Sequence, residues 1–206
     1  MKRYRSFVTC TFALLGVLAA APAPAQEAAD VTIKRSSQEL FEIIRADPKV
    51  QAGDQARIRE VVEAKVLPSV DFERMTALAM GRNWRVANPE QQKRLIEEFR
   101  TLLVRTYSGA LAQYRDQKMD YKPLRAEPNA TDVTVRTEVV RPGQAPVQID
   151  YNMIRKPEGW KAYDIVVGGV SLVTNYRDEF SEQIKVGGVD GLITTLAAKN
   201  KGTGGK

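Results

Sequence analysis

At Lys118 the spacing of apolar residues changes from helical to alternating, and that change divides the chain into two kinds of structure. Upstream, Leu40, Ile43 and Ile44 share one helix face, opened by a capping box over Ser36-Ser37-Gln38-Glu39 and ended by Asp47-Pro48. Ile58, Val61, Val62 and Val66 give a second helix that Pro68 stops, and Asp71 to Met80 reads as a short third. Asn88 with Pro89 opens the longest helix, whose apolar stripe runs through Leu95, Phe99, Leu102, Leu103, Tyr107, Ala110, Leu111 and Tyr114.

Downstream the period is two. Met119 to Leu124, Thr131 to Val140, Pro146 to Arg155 and Trp160 to Val167 are four candidate strands. They are separated by turn residues at Glu127-Pro128-Asn129, Arg141-Pro142-Gly143 and Pro157-Glu158-Gly159. Links this short favour an antiparallel meander. Val133, Val135, Thr137 and Val139 on one strand, and Val147, Ile149, Tyr151 and Met153 on the next, give the sheet one apolar face for helices to cover. After Gly168-Gly169 the chain returns to helix through Val173, Tyr176 and Phe180, breaks at Gly187-Gly188, and ends in a helix with Leu192, Ile193 and Leu196. The pattern is α+β, a four-stranded antiparallel meander covered on one face by several helices.

The ends read differently. Lys2, Arg3 and Arg5 precede an apolar run from Phe7 to Ala21, and Ala23-Pro24-Ala25 supplies a small-x-small site, so residues 1–25 read as a signal peptide cleaved after Ala25. The run is shorter than the roughly 20 residues that span a bilayer. The reading therefore predicts an exported, soluble single domain over 26–199, followed by a disordered tail at 200–206 rich in glycine and lysine. The leader holds three of the 31 Lys and Arg residues and none of the 25 acids, so the remaining balance is 28 − 25 = +3. That excess does not point to nucleic acid. Cys10, the one cysteine, lies in the leader, so no disulfide is expected.

With no histidine anywhere and no cysteine after residue 25, the usual general base, thiol nucleophile and soft metal ligands are missing. Gly187-Gly188-Val189-Asp190-Gly191 imitates a cofactor loop, but it sits between two helical patterns and reads as a C-cap followed by a new N-cap. Asn129-Ala130-Thr131 matches a glycosylation acceptor only by three residues in a turn. One carboxylate is a catalytic candidate. Asp164 shares a strand face with Trp160, Ala162 and Val166, and an aspartate in an apolar cone with Tyr121, Tyr151 or Tyr163 suits an isomerase or hydrolase of small apolar molecules. The other reading is an aspartate bonded to neighbouring backbone. Val70, Phe72, Met75, Leu78, Leu103, Tyr107, Val170, Leu172, Val173 and Tyr176 form stripes that by themselves read as core.

Two tracts resemble a known family. They are Gly159 to Phe180, GWKAYDIVVGGVSLVTNYRDEF, and the block Val66 to Leu111. Their most specific pieces are Leu67-Pro68 before Val70-Asp71-Phe72, the step Gly81-Arg82-Asn83-Trp84, and Trp160 to Ile165 running on to Gly169-Val170-Ser171-Leu172-Val173. Together they resemble the toluene-tolerance family from about Glu39 to Leu196. Gly168 departs from the pattern, which has an acid before Gly-Val-Ser.

The resemblance implies a non-enzymatic periplasmic carrier of diacyl glycerophospholipid with no cofactor, the lipid itself being cargo. It implies partners on both sides: an outer-membrane lipoprotein and porin complex, and an inner-membrane ABC transporter with its substrate-binding ring. It also turns the apolar stripes into a candidate cavity lining, made by the ten residues named above with Trp84, Tyr151, Met153 and Val166. Arg82 and Arg85 then stand near the head group. Two acyl chains hold on the order of 30 methylenes at about 0.8 kcal/mol each, so a carrier must shield roughly 25 kcal/mol of apolar surface.

Overall fold

The computed structural model describes residues 26–111, 117–127 and 129–202; residues 1–25, where the leader is expected, Tyr114 of the predicted stripe, Pro128 and residues 203–206 lie outside them. Among the described residues six α-helices precede and follow one sheet: α1 Ala29–Ala46, α2 Pro48–Gln51, α3 Gln55–Lys65, α4 Phe72–Met80, α5 Pro89–Leu111 and α6 Leu172–Asn200. Short 3₁₀ helices at Leu67–Ser69 and Gly81–Arg85 flank α4. The strands are β1 Lys118–Tyr121, β2 Asp132–Val140, β3 Val147–Lys156, β4 Gly159–Val167 and β5 Val170–Ser171, antiparallel in sequence order. The class is α+β, as the change of period predicts. Among the described residues no helix is long and apolar enough to cross a membrane.

The sheet has five strands rather than four. Gly168 and Gly169 both adopt positive φ, 57° and 84°, and turn β4 back so that Val167 pairs with Val170 and Val166 with Ser171. Positive φ at both central residues is the conformation a two-residue hairpin requires, and glycine meets it without a Cβ penalty. Two residues are too few to show a period, so sequence reading passed directly from β4 to helix.

The first helix also begins earlier than the capping box predicts. Ser36 and Glu39 lie inside α1, where Glu39 pairs with Arg35 at 3.3 Å. The helix starts at Ala29 because Ala29 and Ile33 bury against Val133, Val135, Met153, Trp160 and Ala162 of the sheet. Tertiary burial outweighs the local cap. By contrast, the expected cap at Asn88 holds, with Asn88 and Gln91 bonding each other's backbone N–H at 2.9 and 3.0 Å. Asp71, expected as the first residue of its helix, is the N-cap of α4, where its Oδ1 accepts from Arg74 N at 2.9 Å.

Among the described residues three apolar cores result. One joins α1 to the sheet, a second packs Ile44, Val50, Ile58, Val61, Val62 and Val104 among α1, α2, α3 and α5, and the third lies mainly between α4, α5 and α6. In the third, Phe99 stands edge-on to Tyr176 and Phe180, with ring centroids 4.9 and 5.0 Å away, above Met75, Leu95, Leu192 and Leu196. It can form because α6 is a hairpin. Gly188, at φ 66° and ψ −169°, breaks the helix at the diglycine, and Lys199 returns to pair with Glu179. Twenty residues of straight helix would hold those side chains about 30 Å apart. Asn200 ends the returning arm and donates to the Glu98 carbonyl at 2.9 Å, so the first residue assigned to the tail belongs to α6.

Candidate functional site

Strand β4 carries the local irregularity on which the site depends. Met153 pairs with Ala162 and Asn152 with Asp164, so Tyr163 is an extra residue in β4 and the register shifts there. A side-chain period of two makes one inserted residue exchange the faces beyond it. Trp160 and Ala162 lie on the apolar face with Met153; past the bulge, Ile165 and Val167 take that face opposite Tyr151 and Ile149. Asp164 and Val166 therefore lie on the other face. This corrects the expectation that Asp164 shares a face with Trp160 and Ala162.

On the second face Asp164 belongs to a polar ladder. Thr134 Oγ1 donates to Asn152 Oδ1 at 2.8 Å, and Asp164 Oδ2 accepts from Asn152 Nδ2 at 3.4 Å and from Ser171 Oγ at 2.7 Å. Its other oxygen accepts the Val173 N–H at 3.1 Å. All these partners belong to the protein's own frame, and the arrangement realises the alternative of an aspartate bonded to nearby backbone. The tyrosines do not join it. Tyr163 Oη donates to Asp132 Oδ1 at 2.8 Å, and its ring lies 4.4 Å from the Arg74 guanidinium, which bonds Asp132 at 3.0 Å. Burial, then the bond to Asp132, raises the Tyr163 pKa; burial alone raises that of Tyr121. Tyr121 and Tyr151 pack beside the α1 core.

The apolar face has two halves. Under α1 it is closed, with Val135 and Met153 buried. Toward Val167 its β3 and β4 side is less covered: Val147, Ile149, Tyr151 and Ile165 are half-buried and Val167 is 40% exposed, while Thr137 and Val139 of β2 stay buried. Val170 across the glycine turn is 59% exposed. Residues 142–149 and 165–176 contain no charged side chain, and Gly168 N donates to the Gln148 carbonyl at 2.9 Å, joining the two tracts at one end of the sheet. The result is an uncharged apolar strip that leads from the sheet to solvent.

The outer edge of β4 is covered at its other end. Val70 forms a parallel bridge with Ala162, Asp71 N donates to the Ala162 carbonyl at 2.8 Å, and Lys156 Nζ meets Asp71 Oδ2 at 2.8 Å. Lys161 Nζ donates to the Pro68 carbonyl at 2.5 Å. An edge capped in this way offers no free strand to another chain.

The expected lining residues fall into three groups. Met75, Leu103, Val173 and Tyr176 are buried in the helical core, with Val70, Phe72, Leu78 and Trp84 packed against it. Met153 and Tyr151 belong to the sheet core under α1. Tyr107 is 40% exposed, Leu172 and Val166 are half-buried, and Arg82 and Arg85 are exposed. Burial, and then Tyr107 close to the Tyr176 hydroxyl, pushes the Tyr176 pKa well above its ordinary value. The expected lining lacks Val147, Ile149, Ile165 and Val167, although the first two belong to the apolar face expected of the sheet. Alternation signals the first two, whereas the bulge hides the face of the last two. A cleft of about 460 Å³ near Gln26, Glu27, Arg35, Glu158 and Lys161 is polar and suits no acyl chain. Among the described residues no cluster of His, Cys, Asp or Glu is arranged to hold a metal ion.

Similarity to known proteins bears on this arrangement. The chain matches the family model described as MlaC protein over residues 34–198. It is 25% identical over 193 residues to the intermembrane phospholipid transport system binding protein MlaC of Haemophilus influenzae, covering 92% of this chain and 90% of that protein. To the toluene tolerance protein ttg2D of Pseudomonas putida it is 25% identical over 181 residues, 86% of this chain and 83% of that one. A phospholipid-binding protein from Ralstonia solanacearum, solved in complex with a phospholipid, is 40% identical with a TM-score of 0.81, covering 86% of this chain and 99% of that chain.

Proposed function

Because the chain belongs to the MlaC family, we propose that it is a periplasmic carrier of diacyl glycerophospholipid, non-enzymatic, with the acyl chains sheltered by protein and the head group left in water. The observation that carries this reading is the likeness to the Ralstonia protein, whose fold at 40% identity holds a phospholipid. The uncharged strip at the open end of the sheet supports it. An acyl chain that entered over Val167 and Val170 and passed along Ile149, Tyr151 and Ile165 would meet no charged side chain in residues 142–149 or 165–176. The helical residues Val70, Phe72, Leu78 and Trp84 are only partly buried and so are the members of the expected lining with room to move aside, whereas Met75, Leu103 and Val173 form its closed back.

In this reading the leader directs export and is removed after Ala25. The carrier then exchanges lipid between an outer-membrane lipoprotein and porin complex and an inner-membrane ABC transporter with its substrate-binding ring, where the energy is supplied. The carrier needs no cofactor of its own. Incubation with vesicles containing a fluorescent diacyl phospholipid, followed by gel filtration, tests the reading. Label that elutes with the protein at about one lipid per chain supports it. Label that stays wholly with the vesicles, even after delipidated protein is used, contradicts it.

A further inference from the structure

The helical layer ends in an exposed apolar tip that the cores do not use. Val186 is 91% exposed and Val86 74%, the two most exposed large hydrophobic residues among those described. Val86 follows the Gly81–Arg85 turn, and Val186 precedes the bend of α6 at Gly188. Gln91 Nε2 donates to Asp190 Oδ1 at 2.8 Å, tying the first turn of α5 to the residue just past that bend, so both valines stand at the same end of the layer. Trp84 and Val189 pack there against the helical core.

Free cations accompany the valines. Arg82 and Arg85 are exposed, and among the described residues neither makes an ion pair or a side-chain hydrogen bond. Lys185, next to Val186, has only the exposed partner Glu182 at 2.6 Å. Exposed aliphatic side chains beside unpaired arginines match the depth profile of a bilayer surface, where apolar groups enter the acyl boundary and guanidinium groups remain with the phosphates. A tight protein groove would more usefully engage a free aromatic anchor, and Trp84 is already committed to the core.

We propose that this tip docks the protein on the surface of an anionic phospholipid bilayer, with Val86 and Val186 entering it and Arg82 and Arg85 meeting its phosphates. The phosphates these arginines meet are then those of the membrane rather than of the cargo. The biological purpose of the contact rests on the carrier reading, but its existence does not. Each arginine near an anionic surface contributes about five-fold in affinity, and each valine that leaves water about ten-fold, which makes a contact that forms and releases readily.

The test is co-sedimentation of the full protein with vesicles of phosphatidylglycerol and phosphatidylcholine in equal parts, and with phosphatidylcholine alone, at low salt and at about 0.5 M salt. Binding to the anionic vesicles that weakens in salt is expected. The pair Arg82→Gln with Arg85→Gln should lose about 25-fold, and Val86→Asp with Val186→Asp more, with melting temperature unchanged in both pairs and bound cargo unchanged in the valine pair. These side chains lie outside the cores, so folding is retained. Equal sedimentation of wild type and both pairs overturns the proposal, as does wild-type binding no stronger to anionic than to neutral vesicles. If vesicle binding fails in protein that still carries phospholipid, the tip is not a membrane contact and the carrier reading stands.

Discussion

Asp164 Oδ1 accepts the backbone N–H of Val173 at 3.1 Å, so a carboxylate near the end of β4 closes the first turn of the helix that follows the next strand. Its second oxygen holds Ser171, whose own hydroxyl oxygen accepts the Thr174 N–H at 3.0 Å. Asp164 thereby satisfies one orphan donor at the start of α6 directly and holds the serine that satisfies a second, fixing the helix against the sheet. Asp164→Asn is expected to lower stability by about 1–2 kcal/mol in urea unfolding, through loss of charge-assisted bonds. Phospholipid content per folded molecule should not change. A turnover activity on a small apolar compound that vanishes with this substitution would instead make Asp164 a chemical group.

The hairpin in α6 makes a second prediction. Gly188 holds a φ and ψ that only glycine adopts readily, while Gly187 has no positive φ and nothing within 4 Å of an added Cβ. Gly188→Ala should cost about 1–3 kcal/mol. Gly187→Ala should be neutral or add a few tenths of a kcal/mol. Equilibrium unfolding of the two variants decides it, and equal effects would mean that the bend is not set by Gly188.

Acid should act on α2 through Asp47. Arg57 beside it, at 2.7 Å, together with the N–H groups of Val50 and Lys49, holds this carboxyl below its ordinary value of 3.8. A lowered folded-state pKa means that the unfolded chain takes up the proton first. The stabilisation is therefore present above the ordinary value and is lost as pH falls through the folded one. Asp47→Asn should weaken the protein at neutral pH and flatten the decline of its stability below about pH 4. Parallel curves of stability against pH for the two proteins would contradict this.

Val170 and Leu103 separate surface from core. Val170 is 59% exposed beside the open strip, whereas Leu103 is 8% exposed within the helical core. Val170→Glu should leave the melting temperature nearly unchanged and reduce uptake of fluorescent lipid, because it puts a charge on the proposed entry path. Leu103→Glu buries an unpaired carboxylate and should cost about 3 kcal/mol or more. Thermal melts together with the vesicle uptake assay give both readings.

Much of the helical half is legible in the sequence because punctuation and period agree there. Pro68 ends one helix, Asp71 and Asn88 cap the next two, and the stripe through Leu95, Phe99 and Leu103 faces the core it predicts. The sheet is legible in strand number up to β4 and in its order. What escapes reading depends on single backbone events. The extra residue at Tyr163 moves Asp164 to the opposite face without altering the composition of the strand, and β5 is too short to have a period. The start of α1 escapes because Ala29 and Ile33 gain their burial from a sheet roughly a hundred residues further along the chain. Among the expected lining residues, the stripe pattern identifies those that are apolar but not how deeply each is buried, so buried Met75 and half-buried Phe72 look alike.

The carrier account is tested most directly by native mass spectrometry of the protein purified gently from a bacterial host, followed by organic extraction. The account predicts a folded species heavier than the bare chain by the mass of one diacyl glycerophospholipid, with that lipid recovered in the extract. A bare chain as the sole folded species, with no phospholipid in the extract and none taken up from added vesicles, would contradict it.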